Sequence, residues 1–133
     1  MNFQTLENKI FLNEPPDTSK LANLKKMMDF KYPTDYFEFL NLHDGGEGEL
    51  GEDYLMLWCI DEMIEVNRLQ MNNDSDFFEK YWIFGSNGGI FYYVFELKTG
   101  ELLEIDPYDD TYCLKMGKSF FEFITIFSEK TCT

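Results

Sequence analysis

Three apolar runs separated by glycine-containing turns, in the second half of the chain, constrain its possible folds most strongly. The first two runs, residues 81–84 and 90–97, flank the sequence Gly-Ser-Asn-Gly-Gly at residues 85–89. An Asn-Gly pair in this setting predicts a β-hairpin with a type I′ turn, because such a turn requires a positive φ angle at both central residues. A Lys-Thr-Gly turn at residues 98–100 predicts a second hairpin, which leads into residues 101–105. Together these patterns predict an antiparallel meander of at least three strands.

Helical patterns precede the meander. Apolar residues near the N-terminus indicate a short helix that Pro15-Pro16 stops, and Asp17, Thr18 or Ser19 can cap a second helix. The apolar residues of that second helix follow helical spacing, with its lysines turned outward.

A third helix is predicted to begin at Pro33, because proline is favoured in the first turn of a helix. Its apolar residues wrap more than one face, so we expect it to be buried. Gly45 or Gly46 is expected to supply the left-handed C′ residue that ends the helix.

The remaining elements are indicated by short motifs. An apolar run over residues 54–60 predicts a strand that is covered on both faces. Asp61 can cap a fourth helix that extends to Met71, and residues 72–76 form a polar loop. Near the C-terminus, the sequence Ser-Phe-Phe-Glu at residues 119–122 is a capping box that begins an amphipathic helix.

The length and composition of the chain fit one domain. Its 133 residues are 44% hydrophobic and 18% aromatic, which is enough to build a core without metals or disulfides. Cys59, Cys113 and Cys132 are odd in number and far apart, so we expect free thiols and neither a disulfide framework nor a zinc site. We therefore predict a single α+β domain over residues 1–133, with helices around one antiparallel sheet and no cofactor.

The N-terminal residues predict no targeting segment. Glu7 and Lys9 interrupt the apolar residues there, so neither a signal peptide nor a membrane anchor is expected. A cytoplasmic location follows by default.

The charge of the chain is strongly one-sided. It has 11 Lys and Arg against 25 Asp and Glu, a formal net charge of −14, and no lysine or arginine lies between Lys31 and Arg68. This charge disfavours direct binding to nucleic acid or to anionic membranes, whereas a basic protein would be attracted. The alternative is that the acidity serves solubility alone. An acidic run inside the stretch without lysine or arginine comprises Glu47, Glu49, Glu52 and Asp53.

Few residues of the sequence suggest catalytic or metal chemistry. His43 is the single histidine, and we expect it to interact with a helix C-terminus and a free carbonyl. Glu96 and Lys98 share a strand face, as two residues of a metal-dependent nuclease site would. Because Lys98 opens the second predicted hairpin and a net charge of −14 disfavours a polyanionic substrate, we favour a cross-strand ion pair over a nuclease site. The acids near Pro107 lack the spacing of a calcium loop, so solvation is expected. The sequence therefore predicts a protein that is not an enzyme and has no metal site.

The order of these features resembles the SUKH superfamily, which groups bacterial toxin-immunity proteins with fungal regulators of cell-wall synthesis of the Smi/Knr type. The resemblance covers about residues 20–127 and leaves residues 1–19 as an N-terminal extension. Two positions depart from the family pattern: Tyr32 replaces the usual Leu before the proline, and Asp44 replaces Asn before the glycine pair. The positions that carry the resemblance are Pro33, Tyr36, Phe39, Leu40, Gly45, Gly46, Gly88, Gly89, Phe120, Phe123 and Ile124.

The resemblance implies a non-catalytic module that binds another protein. For an immunity protein, the expected partner is a basic toxin domain, such as a nuclease or another nucleic-acid-directed enzyme, which would meet an acidic surface. A regulatory or scaffolding protein and a small-ligand binder remain as alternatives. Tyr54, Trp58 and Tyr92 are expected to be core residues more than partner anchors, whereas Tyr108 is equally suited to both roles. The candidate contact residues are Glu47, Glu49, Glu52, Asp53, Asp106, Tyr108, Asp109 and Asp110.

Overall fold

The computed structural model describes residues 3–70 and 75–130 and contains an antiparallel sheet surrounded by helices. The helices are α1 Gln4–Lys9, α2 Thr18–Met27, α3 Thr34–Leu42, α4 Ile60–Gln70, α5 Ser75–Phe78 and α6 Phe120–Glu129. The strands are β1 Phe11–Leu12, β2 Gly46–Leu50, β3 Asp53–Leu57, β4 Tyr81–Ser86, β5 Tyr92–Glu96, β6 Leu102–Asp106 and β7 Asp109–Gly117. The seven strands lie in the sheet in chain order, and every neighbouring pair is antiparallel. The predicted single-domain α+β fold is therefore confirmed.

The two faces of the sheet are defined by two rows of paired residues that cross all seven strands. We call one the inner face, because its row includes Tyr93, whose ring lies 5.2 Å from that of Phe123 in α6. This row is Leu12, Gly46, Leu57, Gly85, Tyr93, Glu104 and Leu114. Since successive strand residues point to opposite faces, the neighbouring row defines the outer face. The outer row is Phe11, Glu47, Met56, Ser86, Tyr92, Ile105 and Cys113.

The core is built from aromatic rings held between the inner face and the helices. The Tyr36 ring of α3 lies 4.9 Å from Phe95 and 5.6 Å from Phe120, and Phe84 lies 4.5 Å from Phe95. Each such ring pair contributes about 0.5–1.5 kcal/mol beyond the burial of its area. The contacts join α3, α6 and the two central strands into one core.

The N-terminal segment belongs to this core. Phe3 and Leu6 are buried, and the Phe3 ring lies 5.6 Å from that of Phe39. The predicted first helix is present as α1, but it ends at Lys9, and β1 follows it before the two prolines. No helix among the described residues is both long enough and apolar enough to cross a membrane.

The start of α6 follows the predicted capping box. Ser119 Oγ accepts a hydrogen bond from the Glu122 N–H at 3.1 Å. The sequence did not indicate a second cap, which Asp35 of α3 supplies. Its two carboxylate oxygens accept the Phe120 and Phe121 N–H groups, each at 2.9 Å. Two helices that are far apart in sequence are joined in this way.

Both hairpins of the meander form, but the predicted turn type in the first is wrong. β4 and β5 are joined by residues 87–91, and Asn87 does not have a positive φ angle, whereas Gly88 has φ 78°. Asn87 Oδ1 instead accepts hydrogen bonds from the N–H groups of Gly89 at 2.9 Å and Phe91 at 3.2 Å. The longer turn delays the start of β5 to Tyr92.

The third helix ends differently from the prediction. α3 begins after Pro33 and stops at Leu42, and the following His43 has an extended backbone. The left-handed Gly45, with φ 77°, lies farther on, at the entry to β2. A Cβ atom on Gly45 would collide with the Leu57 carbonyl oxygen, so this glycine allows β2 to approach β3 closely.

The strand predicted over residues 54–60 is shorter and covered on one face only. In β3, Leu55 and Leu57 are buried, whereas Tyr54 is 37% exposed. α4 already begins at Ile60, whose N–H donates to Asp44 Oδ1 at 2.8 Å. Asp61 is therefore not the cap of α4, and its carboxylate pairs with Lys20 at 2.7 Å.

Two other local predictions need correction, and two strands were not predicted. Asp17 precedes α2, but its side chain makes no capping hydrogen bond. Met71 and residues 72–74 lie outside the described residues, and Ser75 and Asp76 belong to α5 instead of a polar loop. β2 and β7 were not predicted as strands, although Gly-Glu-Gly-Glu-Leu in β2 has the alternation of a half-exposed strand.

Candidate functional site

The exposed acids of β2 form the centre of the candidate site. Glu47 and Glu49 are exposed, and β2 pairs them with Met56 and Tyr54 of β3. The Tyr54 hydroxyl donates to Glu47 Oε2 at 2.6 Å, and this hydrogen bond raises the pKa of Tyr54 above its ordinary value. Glu52, in the β2–β3 turn, is also exposed. We call Glu47, Glu49 and Glu52 the outer acids.

The glycines of β2 explain why its glutamates face outward. A Cβ atom on Gly48 would lie 2.8 Å from Ile10 Cβ, and one on Gly46 would collide with the Phe11 carbonyl oxygen. Glycine at both positions lets the segment from Ile10 to β1 pack closely against β2. The alternating glutamates then project from the opposite side of the strand.

Asp53 does not add free charge to the outer acids. Its Oδ2 accepts a hydrogen bond from Lys130 Nζ at 2.9 Å, and its side chain is only 17% exposed. The cation just after α6 therefore neutralises this carboxylate, and we remove Asp53 from the candidate contact surface.

Lys130 is also the cation of a buried polar cluster on the inner face. Its Nζ donates to Glu104 Oε2 at 2.5 Å, and Glu104 is only 1% exposed. The hydroxyls of Tyr93 and Tyr112 also donate to Glu104, at 3.0 Å and 2.6 Å. We call Asp53, Tyr93, Glu104, Tyr112 and Lys130 the inner cluster. It was not predicted from the sequence.

The pKa values of three members of this cluster, Tyr93, Tyr112 and Lys130, are raised. Burial, followed by the charge and hydrogen bond of Glu104, raises the pKa of Tyr93. Burial and the Glu104 hydrogen bond raise the pKa of Tyr112 to about 12. For Lys130, burial opposes the charge, but hydrogen bonds to Glu104 and Asp53 outweigh it and raise the pKa. The raised pKa values favour the protonated forms of Tyr93, Tyr112 and Lys130 in the folded protein.

The second predicted set of contact residues lies in the β6–β7 turn. Asp106 Oδ1 accepts the Tyr108 N–H at 2.9 Å. Asp109 Oδ1 accepts the hydroxyl of Thr111 at 2.6 Å and its N–H at 3.0 Å, and these bonds lower the pKa of Asp109. Tyr108 is 93% exposed. The side chain of Asp110 lies outside the described part of the structure.

The structure brings the two predicted sets to the same end of the sheet without joining them. The β2–β3 and β6–β7 turns lie at one end because the strands alternate in direction. On the inner face, Lys130 contacts both Asp53, at the start of β3 beside the first turn, and Glu104, near the end of β6 before the second turn. Within the described residues, no hydrogen bond or ion pair joins the outer acids to the β6–β7 turn, so we treat the two as separate patches.

An exposed aromatic residue beside the outer acids was not predicted from the sequence. Phe11 in β1 lies opposite Glu47 and is 73% exposed. Trp58 is buried, as predicted, and its ring lies 6.0 Å from that of Tyr92. Alternation in β1 was hard to predict, because a two-residue strand has no period to detect.

His43 and Glu96, two other polar residues singled out in the sequence, have hydrogen-bond partners within the fold. His43 Nδ1 lies 3.0 Å from the Asn13 carbonyl oxygen, and its Nε2 lies 2.8 Å from Glu7 Oε2, which ties the N-terminal segment to α3. Glu96 Oε1 accepts the Thr99 hydroxyl at 2.7 Å, and the predicted ion pair with Lys98 is absent from the described residues. Within residues 3–70 and 75–130, no group of three His, Cys, Asp or Glu side chains could hold a metal ion.

The arrangement of α3, β2–β7 and α6 can now be compared with known protein families. Residues 15–126, which are more than half of the chain, match the model of the SMI1/KNR4 family (SUKH-1). The chain belongs to this family. SUKH-1 includes both immunity proteins and cell-wall regulators, and its members are generally non-catalytic. Among curated proteins, no sequence matches this SUKH-1 protein.

The residues that carried the family resemblance are mostly structural in this SUKH-1 protein. Pro33 precedes α3, Gly88 has the left-handed conformation of the β4–β5 turn, and the resemblance residues of α3 and α6 are buried. These buried residues are Tyr36, Phe39, Leu40, Phe120, Phe123 and Ile124. The family positions therefore specify the scaffold. The exposed outer acids are not among these positions and lie in the sequence between Gly46 and Gly88.

Proposed function

We propose that this SUKH-1 protein is a cytoplasmic immunity protein that binds and neutralises a nucleic-acid-directed toxin through its outer acids. The observation that carries the proposal is the exposure of Glu47, Glu49 and Glu52 within one hairpin. None of the three forms an ion pair with a described residue. Their charge is therefore available to a partner.

The chemistry of the partner explains why such a surface would inhibit it. A nuclease needs a basic groove to hold the phosphate backbone of its substrate. An acidic protein that occupies the groove competes with the substrate for the same cations, and long-range attraction accelerates its binding. With a formal net charge of −14, the whole chain adds to this attraction.

The first experiment is co-purification with the product of the neighbouring gene. We expect that gene to encode a toxin and the two proteins to form a stoichiometric complex whose association slows as ionic strength rises. The toxin should lose its activity on nucleic acid in the complex. A genomic neighbourhood without a toxin, together with binding to several unrelated partners, would instead support the regulatory alternative.

Charge reversal tests the location of the contact. The triple variant Glu47→Lys, Glu49→Lys, Glu52→Lys should weaken the complex at least about 100-fold, mainly through like-charge repulsion at the interface. The control variant Glu65→Lys, Glu79→Lys, Glu129→Lys changes the net charge equally at other exposed sites. Equal losses of affinity in both variants would mean that only the overall charge matters and that the contact lies elsewhere.

A further inference from the structure

We infer that the cavity beside Phe11 on the outer face is an arginine-binding site, into which the protein partner inserts one guanidinium group. This inference rests on the proposed function and specifies the chemistry of the partner at the same surface. The cavity has a volume of about 180 Å³ and includes Phe11, Glu47, Trp58 and Glu62 in its walls. That volume equals about six water molecules at roughly 30 Å³ each, which is enough for a planar guanidinium.

Part of the cavity wall is aromatic and apolar. Phe11 is 73% exposed, although it sits in a strand directly opposite Glu47, and Met56 lies next in the same cross-strand row. Trp58 closes the cavity from the end of β3, and only 8% of its surface is exposed. A flat group can therefore pack against the Phe11 ring without displacing a core residue.

Two carboxylates supply the negative charge of the cavity. Glu47 comes from β2, and Glu62 comes from the first turn of α4. No described lysine, arginine or histidine forms an ion pair with either of them. Glu47 accepts one hydrogen bond, from the Tyr54 hydroxyl, which leaves acceptor capacity on its carboxylate.

The combination favours arginine over lysine as the occupant. A guanidinium is planar, stacks on aromatic rings and donates two parallel hydrogen bonds to a carboxylate. An ammonium is more strongly hydrated and has no flat face, so a partly apolar cavity binds it less well. The cavity thus offers Phe11 as a stacking surface and Glu47 and Glu62 as acceptors.

The affinity of the toxin complex tests the residues of the cavity. Phe11→Ala should weaken the complex about 10-fold or more, as expected for a central anchor, and Glu62→Gln about 3-fold to 10-fold. The matched controls are Phe121→Ala, which removes another exposed ring on α6, and Glu65→Gln, which removes a charge three residues farther along α4. Both controls should change the affinity less than about 2-fold.

Replacing each toxin arginine by lysine identifies the group that occupies the cavity. One replacement should weaken binding to the wild-type protein about 10-fold and have no further effect in the Phe11→Ala background, as coupled residues do. If the complex forms but Phe11→Ala and Glu62→Gln bind as tightly as wild type, the arginine site is wrong while the immunity function stands.

A partner-free measurement separates the two proposals when no toxin complex forms. In an NMR titration, N-acetyl-arginine amide should shift the Trp58 indole signal, and N-acetyl-lysine amide should shift it much less. Phe11→Ala should abolish the response, whereas Phe121→Ala should retain it. If no toxin complex forms but N-acetyl-arginine amide still gives this selective shift, the arginine site is supported and the proposed immunity function is rejected. The absence of any selective shift rejects the arginine site.

Discussion

Glu104 and Glu47 are both strand glutamates that accept a tyrosine hydroxyl at 2.6 Å, yet their surroundings differ completely. Glu104 faces the core, is 1% exposed and pairs with Lys130. Glu47 faces outward, is exposed, and has no cationic partner among the described residues. A buried carboxylate must be paired, whereas an exposed one is stabilised by water. The difference separates acids that hold the fold from acids that remain available for binding.

The distribution of cations follows the same division. Lys130 serves the inner cluster, where it contacts two carboxylates and lies 4.9 Å from the centre of the Phe127 ring. The outer acids receive no such partner within the described chain. We infer that the inner cluster contributes stability and that the outer acids contribute little to it, which can be tested by substitution.

The largest expected effect comes from removing the cation of the inner cluster. Lys130→Met should lower the free energy of unfolding by about 3 kcal/mol, because it leaves Glu104 and Asp53 without their positive partner. Urea denaturation at neutral pH measures this loss. Lys115→Met is the control, since Lys115 is 80% exposed and pairs only loosely with Glu101 at 3.9 Å. Similar stability losses in the two variants would contradict a special role for the inner cluster.

The next largest effect is expected at the start of α6. Asp35→Ala should lower the free energy of unfolding by about 2 kcal/mol, because a buried N–H group of Phe120 and a partly buried one of Phe121 lose their acceptor. Asp17→Ala is the matched control, since Asp17 also precedes a helix but makes no capping hydrogen bond with its side chain. Thermal denaturation of both variants compares them directly. If Asp17→Ala lowers the stability more than Asp35→Ala does, the assignment of Asp35 as a stabilising cap of α6 is wrong.

Short-range patterns account for the parts of the fold that the sequence predicted correctly. The two hairpins and α6 depend on glycine turns and on a capping box, whose residues are close together along the chain. The type of the first turn was predicted wrongly because the Asn87 side chain bonds to the backbone of its own loop. Local sequence patterns therefore predicted that these hairpins and this helix exist, but they did not predict the backbone geometry of the first turn.

Long-range pairs account for most of what the sequence could not predict. Asp53 and Lys130 are 77 residues apart, and Asp35 and Phe120 are 85 residues apart. No periodic pattern links such positions, so an acid used inside the fold resembles an exposed one in the sequence. This is why Asp53 was grouped with Glu47, Glu49 and Glu52.

A smaller effect, with a specific pH dependence, is expected from Tyr112 of the inner cluster. Its pKa is raised to about 12, so its contribution to stability is complete below pH 10 and is lost between about pH 10 and 12. Tyr112→Phe should cost about 1 kcal/mol at neutral pH through the lost hydrogen bond to Glu104. It should also make the alkaline loss of stability shallower, measured by urea denaturation from pH 7 to 11.5. Tyr108→Phe, at a 93% exposed position, should leave the curve unchanged.

The smallest effect on stability is expected from the outer acids. The triple variant Glu47→Lys, Glu49→Lys, Glu52→Lys should change the free energy of unfolding by less than about 0.5 kcal/mol, because exposed charges contribute little to folding. The same variant should lose the toxin complex, so stability and binding would separate at these three positions. Urea denaturation and titration calorimetry on one preparation measure both quantities. A loss of stability as large as that of Lys130→Met would mean that the outer acids also hold the fold, and the division between the two faces would be wrong.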